Sequence, residues 1–503
     1  MASTPSAGRQ GSAQAWALGG ILGLAALLRL PTLGSQSLWF DEAFIPTHVL
    51  HAGLGATLSA VSHTENTPPL FYLLEWASTR VLGTDEVALR LLSAIAGLAT
   101  VAVSVWVGRE LHSRRAGLIL GLLVAVNPLF VWYSQEARAY ALFGLTAAVS
   151  FALFLRARRL GTPASLLGWA VASSLALLTH YFAALLIAAE AAWLLWSHPG
   201  RRREVLAVVG VGAVGLALVP LVVAQGGHGA QWIERWALGS RLVAVPQYFV
   251  LGPSAEPLGH AILLLAMVPF VAVGALLLRS EPSARSAVRL AASVGAAGML
   301  PALVLALVGE DYLAPRNLIA AWLIVTAAVA VVLAADPPWP ARPPAGGSAR
   351  HRARLTPGLV LTAALAVLGV GLAGAVAVNF KHLQRGDWKG VAAVMGRPEL
   401  ARAVVTAGLG SAPLEYYQPP LRALRAGERI MVSEVDAVGY RPLVRGAARP
   451  PGPAFHLTDR HDVNGLVVLR FRAQRPLMLD QATLLARRIT AVRSQVLVSV
   501  PAG

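Results

Sequence analysis

A succession of apolar segments, each near the 20 or so residues that cross a hydrocarbon core of roughly 30 Å, leaves few folds open to this chain. They run from about 15 to 33, 87 to 108, 115 to 131, 137 to 157, 164 to 180, 181 to 197, 203 to 224, 260 to 279, 289 to 308, 316 to 335 and 356 to 378. Of the 503 residues 56% are hydrophobic and 13% charged, so the expected fold is an α-helical polytopic membrane protein of about 11 spans. Loop charge orients it. With a cytoplasmic N-terminus, alternate loops carry Arg109, Arg114 and Arg115, then Arg156, Arg158 and Arg159, then Arg201 to Arg203, then Arg279, Arg285 and Arg289, then Arg342 to Arg354, and every dense arginine cluster falls inside. Pro68 to Gly83 (PPLFYLLEWASTRVLG) is shorter and holds Glu75 and Arg80. Reading it as a span would invert the clusters that follow, so it is laid in the interface as an amphipathic helix, as is the mixed run from Asp41 to Gly53. Residues 1–14 are polar and read as a cytoplasmic tail. The apolar run after them ends in Leu28-Arg29-Leu30-Pro31 without a small-residue cleavage pattern, and reads as an uncleaved anchor.

The net charge of +17 would raise nucleic-acid binding in a soluble protein, but here the charge is arginine spread over short loops. Lysine occurs only at Lys381 and Lys389, with no basic tail or helix, so nucleic acid is not an expected partner. Cysteine is absent, which removes disulfides, thiolate metal sites and a thiol nucleophile together. A metal would have to use Asp, Glu, His or water, and a divalent cation, Mg or Mn, is left open as a cofactor. Residues 15–380 form the expected membrane domain, with a first outer loop at 34–86. Past Phe380 a polar stretch (KHLQRGDWKG) opens a region of short β-like runs, Ala403 to Thr406, Ile430 to Val435, Leu466 to Phe471 and Val496 to Val500. Helical patterns at Trp388 to Met395 and Asp480 to Arg488 alternate with them, so residues 381–503 read as a small α/β domain, which an odd number of spans puts outside the cytoplasm. Asp336 to Arg354, rich in Pro, Gly, Ala and Arg, reads as a flexible cytoplasmic loop.

The candidate chemistry collects on the outer side. Asp41 and Glu42 follow Trp39-Phe40 in the first outer loop, where a carboxylate pair can divide base and positioning roles or simply start a helix with a first-turn acid. The same loop continues through His63, Glu65, Asn66 and Thr67 to a stiff Pro68-Pro69. Tyr133, Glu136 and Arg138 lie in WYSQEARAY at the outer start of a span, and Tyr312 and Arg316 in DYLAPRNL begin another. An arginine on the outer side needs a partner, either a carboxylate or a phosphate, and at a spacing of two on a helix Glu136 does not face Arg138. His180 and Tyr181 make an outer turn, with a structural histidine as the plain alternative. Trp232 sits in a later outer loop as an interface anchor or a sugar-stacking platform. Glu190 falls inside a span, where an ionisable group faces the bundle interior, and it is the feature that favours a transporter.

The succession LWFDEAF, NTPPLFYLLEW, VALRLLSAIAGLATVAVSVWVGRELHSRRAG, WYSQEARAYAL and DYLAPRNL resembles glycosyltransferase family 39, the group of protein O-mannosyltransferases and aminoarabinose lipid A transferases, across about residues 15 to 335. The resemblance implies a GT-C membrane fold and an enzyme of the cell (inner) membrane that takes a sugar from a polyprenyl-phosphate donor on the outer face. It makes Asp41 the catalytic base with Glu42 beside it, and sets Arg138 and Arg316 near donor phosphate, with His63 and Tyr133 on the donor side. Glu65, Asn66, Glu136, His180, Tyr181, Trp232 and Tyr312 fall to sugar or acceptor. Relatives often carry Lys or His before the double proline, where this chain has Thr67.

The chemistry agrees. A sugar on a phosphate already has a good leaving group, so the site needs positive charge around the departing phosphate and a carboxylate to deprotonate the acceptor hydroxyl. One displacement inverts the anomeric centre. Mannose, arabinose and related sugars, and protein, glycolipid or cell-wall acceptors, all fit. The rival is a transporter or flippase of lipid-linked sugars, which would place its essential polar groups at mid-membrane.

Overall fold

The computed structural model describes residues 6–226, 233, 236–253, 259–309, 312–335, 356–377, 385–398, 401–486, 489–491 and 493–499. In chain order the helices are α1 (Ser6–Arg29), α2 (Phe40–Phe44), α3 (Leu54–Thr64), α4 (Leu70–Leu82), α5 (Glu86–Leu111), α6 (Arg114–Val126), α7 (Pro128–Ser134), α8 (Tyr140–Leu160), α9 (Pro163–Thr179), α10 (Ala183–Ser197), α11 (Arg202–Ala217), α12 (Val219–Ala224), α13 (Leu238–Leu251), α14 (Gly259–Arg279), α15 (Pro282–Leu307), α16 (Ile319–Ala335) and α17 (Pro357–Ala377). They are followed by α18 (Trp388–Met395), β1 (Arg402–Ala407), α19 (Ser411–Tyr417), β2 (Leu421–Ala423), β3 (Arg429–Tyr440), β4 (Phe455–Val463), β5 (Leu466–Asp480), α20 (Gln481–Leu485) and β6 (Ser494–Ser499). The described chain divides into two compact units, residues 1–33 with 58–383, and residues 34–57 with 384–503. Residues 34–57, expected to belong to the membrane domain, thus group with the C-terminal part.

Among the described residues of the first unit 7 helices are long and apolar enough to cross a membrane, 8 if the bent pair α6–α7 is one span, and the apolar helices at Pro163–Thr179, Ala183–Ser197 and Met267–Arg279 are shorter. The chain is a multi-pass membrane protein. Polar caps start these helices where the sequence offers them: Asp85 accepts from Ala88 N at 2.8 Å, Ser113 from Ala116 N at 3.2 Å, and Thr162 from Ser165 N at 3.3 Å. The span ending in α16 is 83% buried and occupies the centre, whereas α11–α12 is 6% buried and turns its apolar surface outward, as a lipid-facing helix must. Helices α5 and α6 approach so closely that a Cβ on Gly108 would sit 2.6 Å from the Gly117 Cα, the small-residue contact that lets backbones meet in a membrane bundle. Arg29 ends α1 fully buried, and its guanidinium donates to Ser134 Oγ, Ala25 O, Ala125 O and Val124 O. Those acceptors satisfy the buried charge with hydrogen bonds.

The second unit is built on a 6-stranded sheet of order β2-β6-β1-β3-β5-β4, in which β1 and β3 are parallel and the other neighbours antiparallel. Alternation along the strands sends Ala403, Val405, Val435 and Phe471 to one core and Val404, Val438, Val468 and Leu497 to another with Trp388, Val391 and Leu414 of α18 and α19. This is the small α/β domain expected from the sequence, with β2 and the exposed β4 added.

Candidate functional site

Within the first unit, the helix that ends at Val126 bends by 62° into α7, where Asn127 accepts from Leu129 N and Phe130 N and Pro128 occupies the first turn. After Ser134 the chain leaves the helix, and the Gln135 amide donates to Thr32 Oγ1 at 2.6 Å and Arg29 O at 2.9 Å, fixing the connection to α8. In this turn the Arg138 N–H donates to Glu136 O at 2.8 Å, while the Glu136 carboxylate accepts from the Trp132 indole at 3.1 Å. Arg138 instead pairs with Glu65, 3.0 Å away, with side-chain exposures of 10% and 4%. Tyr72 also donates to Glu65, at 2.5 Å, and its hydroxyl lies 2.9 Å from Thr67 Oγ1. Thr67 therefore supports the Glu65–Tyr72–Arg138 network.

Arg316 lies in the 3-10 turn Pro315–Leu318, its guanidinium 5.6 Å from the Tyr140 ring centre. Tyr140 packs edge-on against Tyr133 at 4.9 Å and lies 6.0 Å from His180, which stacks on Phe143 at 4.5 Å. Burial first, then the charges of Arg316 and Arg138, push the His180 imidazole down to about 3, so it is neutral near pH 7. Its Nδ1 accepts from Phe182 N at 3.2 Å, which leaves the ring proton on Nε2. Arg138 and Arg316 thus both bear on one neutral histidine. Tyr181 donates to Gln225 Oε1 at 2.6 Å, and the Gln225 amide donates to Val61 O at 2.9 Å and Thr67 O at 3.1 Å. Gln225 is a buried organiser of this cluster that the sequence did not single out.

Not every expected residue joins. His63 is exposed and its Nδ1 turns back to Ser59 O at 2.7 Å. Asn66 is half-buried beside Glu65, and Tyr312 is exposed, its carbonyl accepting from the Asn317 amide at 3.0 Å. Trp232 lies outside the described residues. Glu190 accepts from Ser150 Oγ at 2.7 Å and Trp169 Nε1 at 2.8 Å, a structural use of a carboxyl inside the bundle.

Within the second unit, α2 carries the carboxylate pair, and the two acids part company. Glu42 is fully buried, reaches back to Trp39 N at 3.4 Å as a first-turn acid does, and forms an ion pair of 2.8 Å with Arg385. Asp41 is partly exposed. Around them Ser37 donates to Asp387 Oδ1 at 3.0 Å, Leu38 N donates to the Tyr417 hydroxyl at 2.8 Å, and His48 Nε2 lies 3.2 Å from Glu415. Burial raises Glu415, and burial followed by His51 lowers His48, so that contact works as a hydrogen bond rather than a strong ion pair. Among the described residues no group of three His, Asp or Glu side chains is placed to hold a metal ion.

Residues 66–224 match the family described as dolichyl-phosphate-mannose-protein mannosyltransferase. ArnT from Cupriavidus metallidurans bound to undecaprenyl phosphate is 13% identical, with a TM-score of 0.52 over 90% of this chain and 97% of that one. Its apo form is 14% identical, with a TM-score of 0.54 over 91% and 98%. At such identity the likeness is one of fold, and the family match falls on the segment that holds Tyr133, Glu136, Arg138 and His180. The chain shares its fold with ArnT. No curated protein matches it in sequence. The signal that sequence reasoning passed over was the polar stretch before Trp388, which supplies Arg385 and Asp387 to the carboxylate motif.

Proposed function

We propose that this protein is a glycosyltransferase that moves a sugar, mannose or a related one, from a polyprenyl-phosphate carrier to an acceptor hydroxyl on the outer face of the membrane. The observation that carries the reading is the buried centre within the family-matching segment and α16's approach, where Arg138 and Arg316 both act on a neutral His180. A desolvated cationic centre suits a departing phosphate, because the fork of a guanidinium binds phosphate oxygens and acts strongly where water is excluded. The neutral His180 adds an N–H donor without further charge.

In the reaction, the acceptor oxygen attacks the anomeric carbon from the face opposite the phosphate. Its proton passes to Asp41, the carbon–oxygen bond to phosphate breaks, and polyprenyl phosphate leaves with the electron pair, so configuration inverts. Asp41 is assigned the base because Glu42 is already held in a buried ion pair, while Asp41 is partly exposed. Glu65 holds the Arg138 fork in place, and Glu136 and Tyr181 shape the surrounding wall.

The test is to offer the purified protein in lipid nanodiscs a panel of polyprenyl-phosphate sugars and measure free polyprenyl phosphate. One donor is expected to be consumed, and Asp41→Asn is expected to lower turnover by about 10²- to 10⁴-fold, the usual contribution of a positioned base. A carrier that only moves lipid-linked sugars would release none, and normal turnover in a folded Asp41→Asn protein would remove Asp41 from the mechanism.

A further inference from the structure

We infer that Arg385 is a positioning residue for catalysis, and that the stretch Arg385-Gly386-Asp387-Trp388 of the C-terminal domain is the socket that holds the Asp41–Glu42 motif in its reactive geometry. The inference rests on the reading of Asp41 as the base. Three contacts carry it, all within one compact unit. Arg385, with 6% of its side chain exposed, pairs at 2.8 Å with a Glu42 that has none exposed. Its guanidinium also lies 5.8 Å from the centre of the Trp39 ring, so one cation meets both ends of the first turn of α2. Two residues on, Asp387 caps α18 by accepting from Gly390 N at 2.9 Å and takes the Ser37 hydroxyl at 3.0 Å, while Ser37 Oγ accepts from Lys389 N at 3.0 Å. Trp388 is fully buried and donates to the Tyr440 hydroxyl at 3.2 Å, which ties the socket to β3. On the other side Tyr417 of α19 receives Leu38 N.

The motif thus depends on groups more than three hundred residues away for its position. A carboxylate as buried as Glu42 cannot stay charged without its partner, and a short helix of 5 residues has no stability of its own. Loss of Arg385 would therefore let α2 shift, and a shift of about 1 Å at a reacting group lowers rate by about 10²-fold. The titratable and charged groups around the motif include Arg385, Asp387, Lys389, His48, Glu415 and Tyr417, and Arg385 is a cation in direct contact with Glu42.

The experiment compares wild type, Asp41→Asn, Arg385→Gln and the double variant Glu42→Gln/Arg385→Gln as full chains in nanodiscs, using the donor identified above. Arg385→Gln is expected to lower kcat about 10²-fold with the donor KM little changed. The double variant removes the orphaned charge, so it is expected to keep the wild-type melting temperature and still turn over slowly. If Asp41→Asn is inactive while Arg385→Gln, or the double variant where the single one does not fold, keeps wild-type kcat, the socket is wrong and the base reading stands. Normal turnover in Asp41→Asn instead defeats the base reading itself.

Discussion

Arg138 remains charged in a nearly closed site because Glu65 lies 3.0 Å from it and Tyr72 and Thr67 hold Glu65 in turn. Arg138→Ala leaves that carboxylate buried without its cation, and breaking such a pair from one side costs about 3–5 kcal/mol. The variant is expected to melt well below wild type. Arg138→Lys keeps the charge but loses the planar fork, so it is expected to retain most of the melting temperature while polyprenyl phosphate release falls about 10²-fold. Melting curves and the release assay on the two variants separate the roles: a Lys variant of full activity would make Arg138 structural. The need for a partner at Arg138 was legible, since an outer arginine at the start of a span has few bland explanations. Its partner was not. Glu65 lies in another loop, and the choice between it and Glu136 was made by the unwound turn at Gln135 to Ala139, where the Glu136 carboxylate goes to Trp132. Glu42 shows the same limit, because spacing offered helix capping and catalysis as alternatives, and a distant arginine gave it an anchoring role.

The strands of the C-terminal domain are legible as short β-like runs, and β1, β3, β5 and β6 stand where Ala403 to Thr406, Ile430 to Val435, Leu466 to Phe471 and Val496 to Val500 predict them. β4 escaped because FHLTDRHDV is an edge strand exposed along most of its length, so hydrophobic patterning is weak there. Pairing puts Glu434 of β3 beside Arg402 at 2.5 Å and Arg472 at 2.8 Å. Burial works to raise Glu434, but the hydrogen bond from Arg472 and the charges of Arg402 and Arg470 outweigh it and hold the group below its usual value of 4.5. A carboxyl lowered in the folded state stabilises above its unfolded value, and that contribution disappears as pH falls through the folded value. Asp436 next to it has the opposite sign, because burial raises it despite Arg470 and Arg402, so its contribution is lost as pH rises. Glu434→Gln isolates the first effect. The wild type is expected to melt above this variant near neutral pH, with the gap closing between roughly pH 6 and pH 3. A gap independent of pH, measured by thermal melting of the domain's tryptophan signal, would show that Glu434 acts through packing alone.

For the whole molecule, the apolar segments predicted the multi-pass helical class, since twenty-residue runs without charge have few alternatives in a hydrophobic chain. Where about 11 spans were expected, the described residues hold 7 helices long and apolar enough to cross, or 8 with the bent pair, because three apolar helices are shorter. The grouping of residues 34–57 with 384–503 was not legible, because it is written in side-chain pairs such as Ser37 with Asp387 that no local pattern reveals. That grouping makes the orientation of one region the orientation of the other: if the motif lies outside, the sheet domain does too. Loop arginines argue for it, with the clusters at Arg114 and Arg115, Arg158 and Arg159, and Arg201 to Arg203 on the cytoplasmic side. The chain contains no cysteine, so single introduced thiols report without background. Ser35→Cys, exposed and six residues before Asp41, is expected to react with a membrane-impermeant maleimide on intact cells, whereas Arg202→Cys, at the arginine-rich start of α11, is expected to react only after permeabilisation. Two positions are needed because a leaky membrane would label both and a buried thiol neither. If the accessibilities are reversed, Asp41 faces the cytosol and cannot serve a donor presented on the outer leaflet, whatever the rates of its variants.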